Sequence, residues 1–213
     1  FAMIDSVTLS LNENSKDYFI VNTETFNKYK DSTIGATYSH KQEIFGVAGV
    51  WGIDWRSESS EFEGGTGNIP YDLSRNGFAP YVEMSVPVGE AQLDIGLRFE
   101  HWQVDAGENV NEFIPRVSLN WESPSGKLWY VTAGRFFAMP SFYQIFLPMA
   151  DEGGIGGKYV SLRNPDLRPE KGWTYDIGVK DQKAKNPWSL GVFYINMEDK
   201  IYYSSEYDLM TNT

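Results

Sequence analysis

The chain has 213 residues, enough for one large domain or two small ones, and 15% aromatic residues with 20 Gly and 41% apolar residues suit a mostly β protein. It contains no Cys, which excludes disulfides, thiolate metal sites and thiol nucleophiles, and its two His, His40 and His101, form no closely spaced metal motif. With 18 basic against 29 acidic residues the net charge is −11, which argues against the phosphate-neutralising surface that sequence-independent nucleic-acid binding requires.

No run of about 18 apolar residues occurs, so a spanning helix is excluded while a spanning β-barrel stays open. The opening "FAMIDSVTLSL" has no basic start and already behaves as a strand; no signal peptide is read there, and the sequence is expected to begin mid-protein. Four strands are predicted first, at about 1–11, 17–25, 32–41 and 44–62, with "NENS" and "KQE" as short links. In the fourth, Phe45, Val47, Trp51, Ile53 and Trp55 share a face opposite Gly46, Ala48, Val50, Gly52 and Asp54.

A long connection, "EFEGGTGNIPYDLSRN", then leads to strands at about 77–88 and 91–102. The second has the most regular alternation in the chain, with Ala91, Leu93, Ile95, Leu97 and Phe99 on one face and Gln92, Asp94, Gly96, Arg98 and Glu100 on the other. Strands at about 112–122 and 127–137 follow, and Pro115 predicts a bend or bulge in the first of them. After a connection running from Ala138 to Pro169, strands are expected at about 170–181 and 188–203. Short and long links alternate, as periplasmic turns and extracellular loops do in outer-membrane barrels, although soluble up-and-down barrels can alternate too. Trp51, Trp55, Trp121, Trp173 and Trp188 are expected near strand ends on the apolar face, where they fit either an interfacial girdle or the core of a β-sandwich.

Chemistry-bearing clusters are few. The carboxylate pairs Asp151/Glu152 and Glu61/Glu63 sit in Gly-rich acidic loops without a defined pocket, so no enzyme is expected. "GGIGG", Gly153–Gly157, lacks the Lys and Ser/Thr of a phosphate loop, and Asp105, Glu108, Asp151 and Glu152 lack EF-hand spacing for Ca²⁺. Neither a metal site nor a cofactor is expected.

One stretch is more specific. "NPDLRPEKGWTYDIGVK", Asn164 to Lys180, resembles the signature box of TonB-dependent outer-membrane receptors, an Asn-Pro-Asp-Leu-Lys-Pro-Glu turn leading through a short polar segment into a Tyr-x-Glu/Asp-x-Gly-x-Lys strand. Upstream, "GRFFAMPSFYQIF", Gly134 to Phe146, is similar to the family's strand end and Phe-Arg-Ala-Pro-Ser loop; Phe137, Pro140 and Ser141 match, whereas Ala138 and Met139 depart from it. Together with the adjoining strands, the resemblance covers at least Tyr81 to Tyr203. In physical terms the box returns a long loop to the wall in register: Asn164 closes a side-chain turn, Pro165 and Pro169 fix φ, and Leu167 anchors the turn, with Asp166 and Glu170 completing the motif.

The resemblance implies an all-β fold, an antiparallel transmembrane barrel of which residues 1–213 form a roughly ten-stranded partial domain. The family's 22-stranded total, its plug and its terminal strands would lie outside this sequence. It further implies an outer membrane of the Gram-negative type, a lipid bilayer around the wall, and an inner-membrane TonB-type energy transducer acting through the plug. The charges expected to line the lumen are Asp94, Arg98, Glu100, Arg116, Glu122, Arg135, Asp176 and Lys180. The function implied is energy-coupled uptake of a metal chelate such as a ferric siderophore, or of cobalamin. Haem ranks lower, because haem receptors of the family carry a His between the two boxes and this chain has none between Phe137 and Asn164. Candidate ligand contacts are Phe142, Tyr143, Tyr159 and Arg163 in the long connection and Tyr71 and Arg75 in the earlier long loop, chosen because rings stack and Arg complements an anionic chelate. A passive outer-membrane barrel or adhesin, or a soluble ligand-binding β-barrel or sandwich, is the alternative.

Overall fold

The computed structural model describes residues 4–20, 25–64, 70–105, 107–147, 162–164 and 166–202. Nine strands form one antiparallel sheet: β1 (Ile4–Ile20), β2 (Thr25–Ile44), β3 (Val47–Gly64), β4 (Tyr71–Val88), β5 (Ala91–Val104), β6 (Val110–Glu122), β7 (Leu128–Ala138), β10 (Glu170–Asp181) and β11 (Trp188–Glu198). Each pairs with the next in sequence, apart from an excursion between β7 and β10. That excursion holds one helical turn, α1 (Phe142–Ile145), and a two-stranded clasp in which β8 (Phe146–Leu147) pairs with β9 (Leu162–Arg163).

Alternation sorts the sheet into two faces. The outer face carries Val7, Leu9 and Leu11 of β1, Ile34 of β2, Trp51, Ile53 and Trp55 of β3, Phe78, Val82 and Val86 of β4, and Leu93, Ile95, Leu97 and Phe99 of β5. It continues through Val117, Leu119 and Trp121 of β6, Trp129 and Val131 of β7, Tyr175 and Ile177 of β10, and Leu190, Val192 and Tyr194 of β11. From Ala91 to Phe99 this apolar stripe runs about 27 Å along the strand. At a tilt of about 40° that is roughly 20 Å of height, close to the apolar band of an outer-membrane barrel.

The inner face is polar and hydrogen-bonded. Asp94 accepts from Ser85 Oγ at 2.6 Å and Asn120 Nδ2 at 2.9 Å, and the Ser118 and Thr132 hydroxyls meet at 2.9 Å. Large inner rings lie flat over glycines on the neighbouring strand: Tyr81 covers Gly52, Tyr130 covers Gly178, and a Cβ on Gly77 would fall 2.7 Å from the Trp102 ring.

The first third of the chain departs from the sequence expectation. Three long strands replace the predicted four, and "NENS" lies inside β1, where Asn12–Ser15 pair with Thr33–Lys30. Above the apolar band the outer face of these strands turns polar, as with Lys28, Lys30, Ser57, Ser59, Glu61 and Glu63, while the inner face mixes polar residues with the rings of Tyr29 and Phe62, so hydrophobic alternation ends while the backbone ladder continues. The β2–β3 link is the two-residue turn Phe45–Gly46, both at positive φ (51° and 82°), the geometry of tight hairpins. Phe45 therefore belongs to the turn and is 98% exposed, not on a strand face.

Trp55 sits in mid-strand at the upper border of the band, whereas Trp121 and Trp129 stack at 6.1 Å beside the 123–127 turn. In the 182–187 turn a hydrogen bond from Lys183 to Glu122, and the charge of that carboxylate, raise the proton affinity of the Lys183 ammonium. Short turns at 45–46, 89–90, 123–127 and 182–187 thus share one end of the sheet. The connections 21–24, 65–70, 105–109 and 139–169 share the other.

Two further expectations change. Pro115 makes no bulge in the β5 ladder, where it pairs with Leu97, but the β6–β7 ladder ends beside it at Arg116–Gly134. Arg135 stands opposite Trp173, in register with the outer positions rather than the lumen-facing ones. Its side chain fills the gap where the ladder has ended: it donates to the Phe113 carbonyl at 3.4 Å and pairs with Glu112 at 2.8 Å, which Lys171 also grips at 2.8 Å.

Candidate ligand site on the inner wall

The site lies at the long-loop end of the inner face. Asn27, Tyr29, Asp31 and Thr33 of β2, Glu58 and Ser60 of β3, and Tyr71 and Arg75 of β4 point the same way because each series is spaced by two along paired strands. Sequence analysis placed Tyr71 and Arg75 in a loop. They are on β4, whose first residue is Tyr71, and the loop before it is only 65–70. The β4 segment 71–76 reads as a loop because Asp72, Ser74 and Asn76 stand outside above the apolar band.

Against this wall packs the start of the excursion. Ser141 caps α1 reciprocally with Gln144: the Gln144 N–H donates to Ser141 Oγ at 3.2 Å, and the Ser141 N–H donates to Gln144 Oε1 at 2.7 Å. The turn directs Ile145 (4% exposed) into a cluster with Phe62, Tyr71 and Leu73, and Phe142 and Tyr29 pack on its margin. Tyr29 lies 4.7 Å from Phe62 and 6.4 Å from Tyr143 between ring centroids, and Phe62 stacks on Tyr71 at 5.5 Å. Between wall and α1 is a cavity of about 640 Å³ lined by aromatic rings, hydroxyls and the carboxylates of Asp31 and Glu58, with Lys16 at its edge.

Arg75 is 7% exposed, and each of its three nitrogens has a described partner. Nε and Nη2 donate to Glu58 Oε2 at 2.7 and 2.5 Å, Nη1 donates to the Pro140 carbonyl at 2.5 Å, and the guanidinium lies 4.6 Å from the Phe142 ring centroid and 5.4 Å from that of Trp102. Trp102 Nε1 donates to Glu100 at 2.9 Å, Glu100 accepts from Arg98 Nε at 2.6 Å, and Arg98 pairs with Asp54. Two polar groups, Asp54–Arg98–Glu100–Trp102 and Glu58–Arg75–Pro140, thus meet where the guanidinium lies over the indole ring. More accessible cations nearby are Lys16 and Arg56, the latter 3.5 Å from the other oxygen of Glu58.

The base of the excursion is pinned on its return. Asn164 N–H donates to the Ile145 carbonyl at 2.9 Å, Asn164 Oδ1 accepts from the Asp166 N–H at 3.2 Å, and β10 starts at Glu170, whose carboxylate accepts from the Ile201 N–H at 2.8 Å. The half-buried Leu167 borders a cavity with Met139, Pro140 and Ile145. Asp105, considered for Ca²⁺, accepts from the Ser74 N–H and Oγ at 3.0 and 2.6 Å and ties the 105–109 loop to β4.

The family described as "TonB dependent receptor-like, beta-barrel" matches residues 4–213. The chain belongs to this family. Among solved structures, this receptor wall is similar to a copper transporter, OprC, at 14% identity over 90% of this chain and 35% of that one, with a TM-score of 0.66. It is also similar to the alcaligin outer-membrane receptor FauA from Bordetella pertussis, at 12% identity over 92% of this chain and 37% of that one, with a TM-score of 0.56. At such identities the likeness concerns the fold, and the chain spans little more than a third of these structures. No curated protein matches it.

Of the predicted contacts, Tyr71, Arg75, Phe142 and Tyr143 come together at the cavity. Arg163 lies on β9 with its backbone paired to Phe146, its side chain is not among those described, and Tyr159 and Pro165 lie outside the described residues, as do Asp151, Glu152 and the 153–157 glycines. Sequence reasoning missed Tyr29, Asp31, Glu58 and Ser60. Their only signal is spacing by two in segments without apolar alternation. It also passed over the Ser-x-x-Gln capping box at 141–144.

Proposed function

We propose that this wall belongs to an outer-membrane receptor of a Gram-negative-type bacterium that takes up a scarce nutrient with energy from an inner-membrane TonB-type transducer. The observation that carries the reading is the ring-lined cavity on the inner face at the long-loop end, where a ligand from outside would first meet the wall. Family membership supports transport rather than catalysis. The nutrient class proposed is a metal chelate such as a ferric siderophore, or cobalamin; a receptor for alcaligin and a copper transporter share the fold.

Tyr71, Phe142 and Tyr143 would offer stacking surface, joined by Tyr29 and by Tyr159 and Arg163 of the excursion. A cavity of this volume holds a ligand of small-molecule size. Complementing an anionic chelate falls to Lys16 at the cavity, or to Arg56 nearby, more readily than to the buried Arg75 paired with Glu58. Binding by the complete receptor to a panel of ferric hydroxamate, ferric catecholate, copper, cobalamin and haem tests the reading. Tyr143→Ala is expected to weaken the true ligand about tenfold, in the range of a lost aromatic contact. Unchanged affinity in both Tyr143→Ala and Phe142→Ala would remove the cavity from the site.

A further inference from the structure

We infer that Arg75 is a positioning residue: its guanidinium seats α1 on the inner wall and so sets the depth and shape of the cavity, without contacting the ligand. The inference rests on the cavity being the ligand site. A single helical turn of four residues has little stability of its own, because nucleation is unfavourable and the capping box satisfies only two backbone donors. The return of the excursion holds its C-terminal end through the Asn164 N–H on the Ile145 carbonyl, and the rest of its support comes from the wall. Ile145 supplies an apolar anchor at its C-terminal end. At its N-terminal end the only described wall group reaching the backbone is Arg75 Nη1, on the Pro140 carbonyl.

The guanidinium is suited to this in two ways that an ammonium is not. Its fork spans Glu58 on β3 and Pro140 on the excursion at once, and its flat face fits between the rings of Phe142 and Trp102. Its back support is also in place: Trp102 lies on Gly77, where any side chain would collide with the indole, and Glu100 fixes the indole N–H. Ion pairing with Glu58 is thus one part of the arrangement, and the placement of Pro140 and Phe142 is the part that shapes the cavity.

The test uses the complete receptor in outer membranes carrying Ile145→Cys, compared with the same receptor lacking the introduced thiol. The chain has no Cys of its own, and Ile145 is buried only while α1 is seated, so the maleimide labelling rate reports seating. Arg75→Lys is expected to accelerate labelling at least about tenfold while the barrel keeps its resistance to heat in detergent. The exchanged pair Arg75→Glu with Glu58→Arg restores opposite charges yet not the fork on Pro140, and labelling should stay fast.

Slow labelling in either variant would overturn the inference, since charge alone would then suffice. Should Arg75→Lys lose the heat-resistant barrel, Phe142→Leu removes only the ring from the guanidinium and must still accelerate labelling. Amide exchange of the 139–147 peptide without the introduced Cys must rise in the same variants, or the inference fails. None of these readouts needs a ligand, so their failure is distinct from failure of the cavity to bind one.

Discussion

At the scale of single residues, the wall is decided by which face a side chain takes. Ile95 stands outside between Met84 and Val117, and one residue away Asp94 accepts three hydrogen bonds inside. Arg at Ile95 in the complete receptor should cost about 2–4 kcal/mol and reduce the yield of heat-resistant barrel in outer membranes. Arg at Glu83, an exposed inner position without a described ion pair, should stay within about 0.5 kcal/mol of the parent. Equal assembly of Ile95→Arg and Glu83→Arg would reverse the two faces. Strict alternation made this part of the fold legible from sequence, since Ala91–Phe99 fell on one face without exception. Arg135 was misread for the complementary reason: its parity is outer, but the ladder stops at Gly134, and the side chain bends into the gap to meet Glu112 and the Phe113 carbonyl.

At the scale of elements, the chain was legible where periodicity, turn residues and backbone agree. Gly89, with φ of 62°, and Gly126, with φ of 81°, mark turns that the sequence placed correctly. β1 to β3 were misdivided because they outrun the apolar band, and above it the outer face is polar while the inner face mixes polar residues with the rings of Tyr29 and Phe62, so the ladder persists with no alternating hydrophobic signature. The same blindness hid half of the candidate site, because Tyr29, Asp31, Glu58 and Ser60 stand on those polar extensions.

The re-entry box was legible because its turn chemistry is local. Asn164→Ala removes the acceptor for the Asp166 N–H and should cost about 1 kcal/mol, seen as faster proteolysis within the 139–169 connection of the intact receptor. Asn164→Asp keeps the acceptor and should restore resistance. Equal proteolysis in both variants would mean that the side-chain turn does not hold the re-entry.

At the scale of the whole molecule, the described strands form an open sheet. β1 and β11 stand at its two edges, and β11 is exposed along its whole length on both faces. Unpaired edges are unfavourable in lipid and invite association in water, so this wall is stable only with further strands paired to it. In the family those strands close a barrel, and the inner face described above then becomes its lumen. Within that lumen the upper wall pairs its charges in two sets, Arg98 with Asp54 and Glu100, and Arg75 with Glu58, and leaves a ring-lined cavity beneath α1.

Energy-coupled uptake through such a lumen, rather than passive permeation, is the central claim. It is tested most directly by accumulation of whichever nutrient the complete receptor binds, measured in cells with and without the inner-membrane transducer. The account predicts that surface binding survives loss of the transducer while accumulation falls to the level of cells lacking the receptor. Undiminished accumulation without the transducer would contradict it and identify a passive barrel.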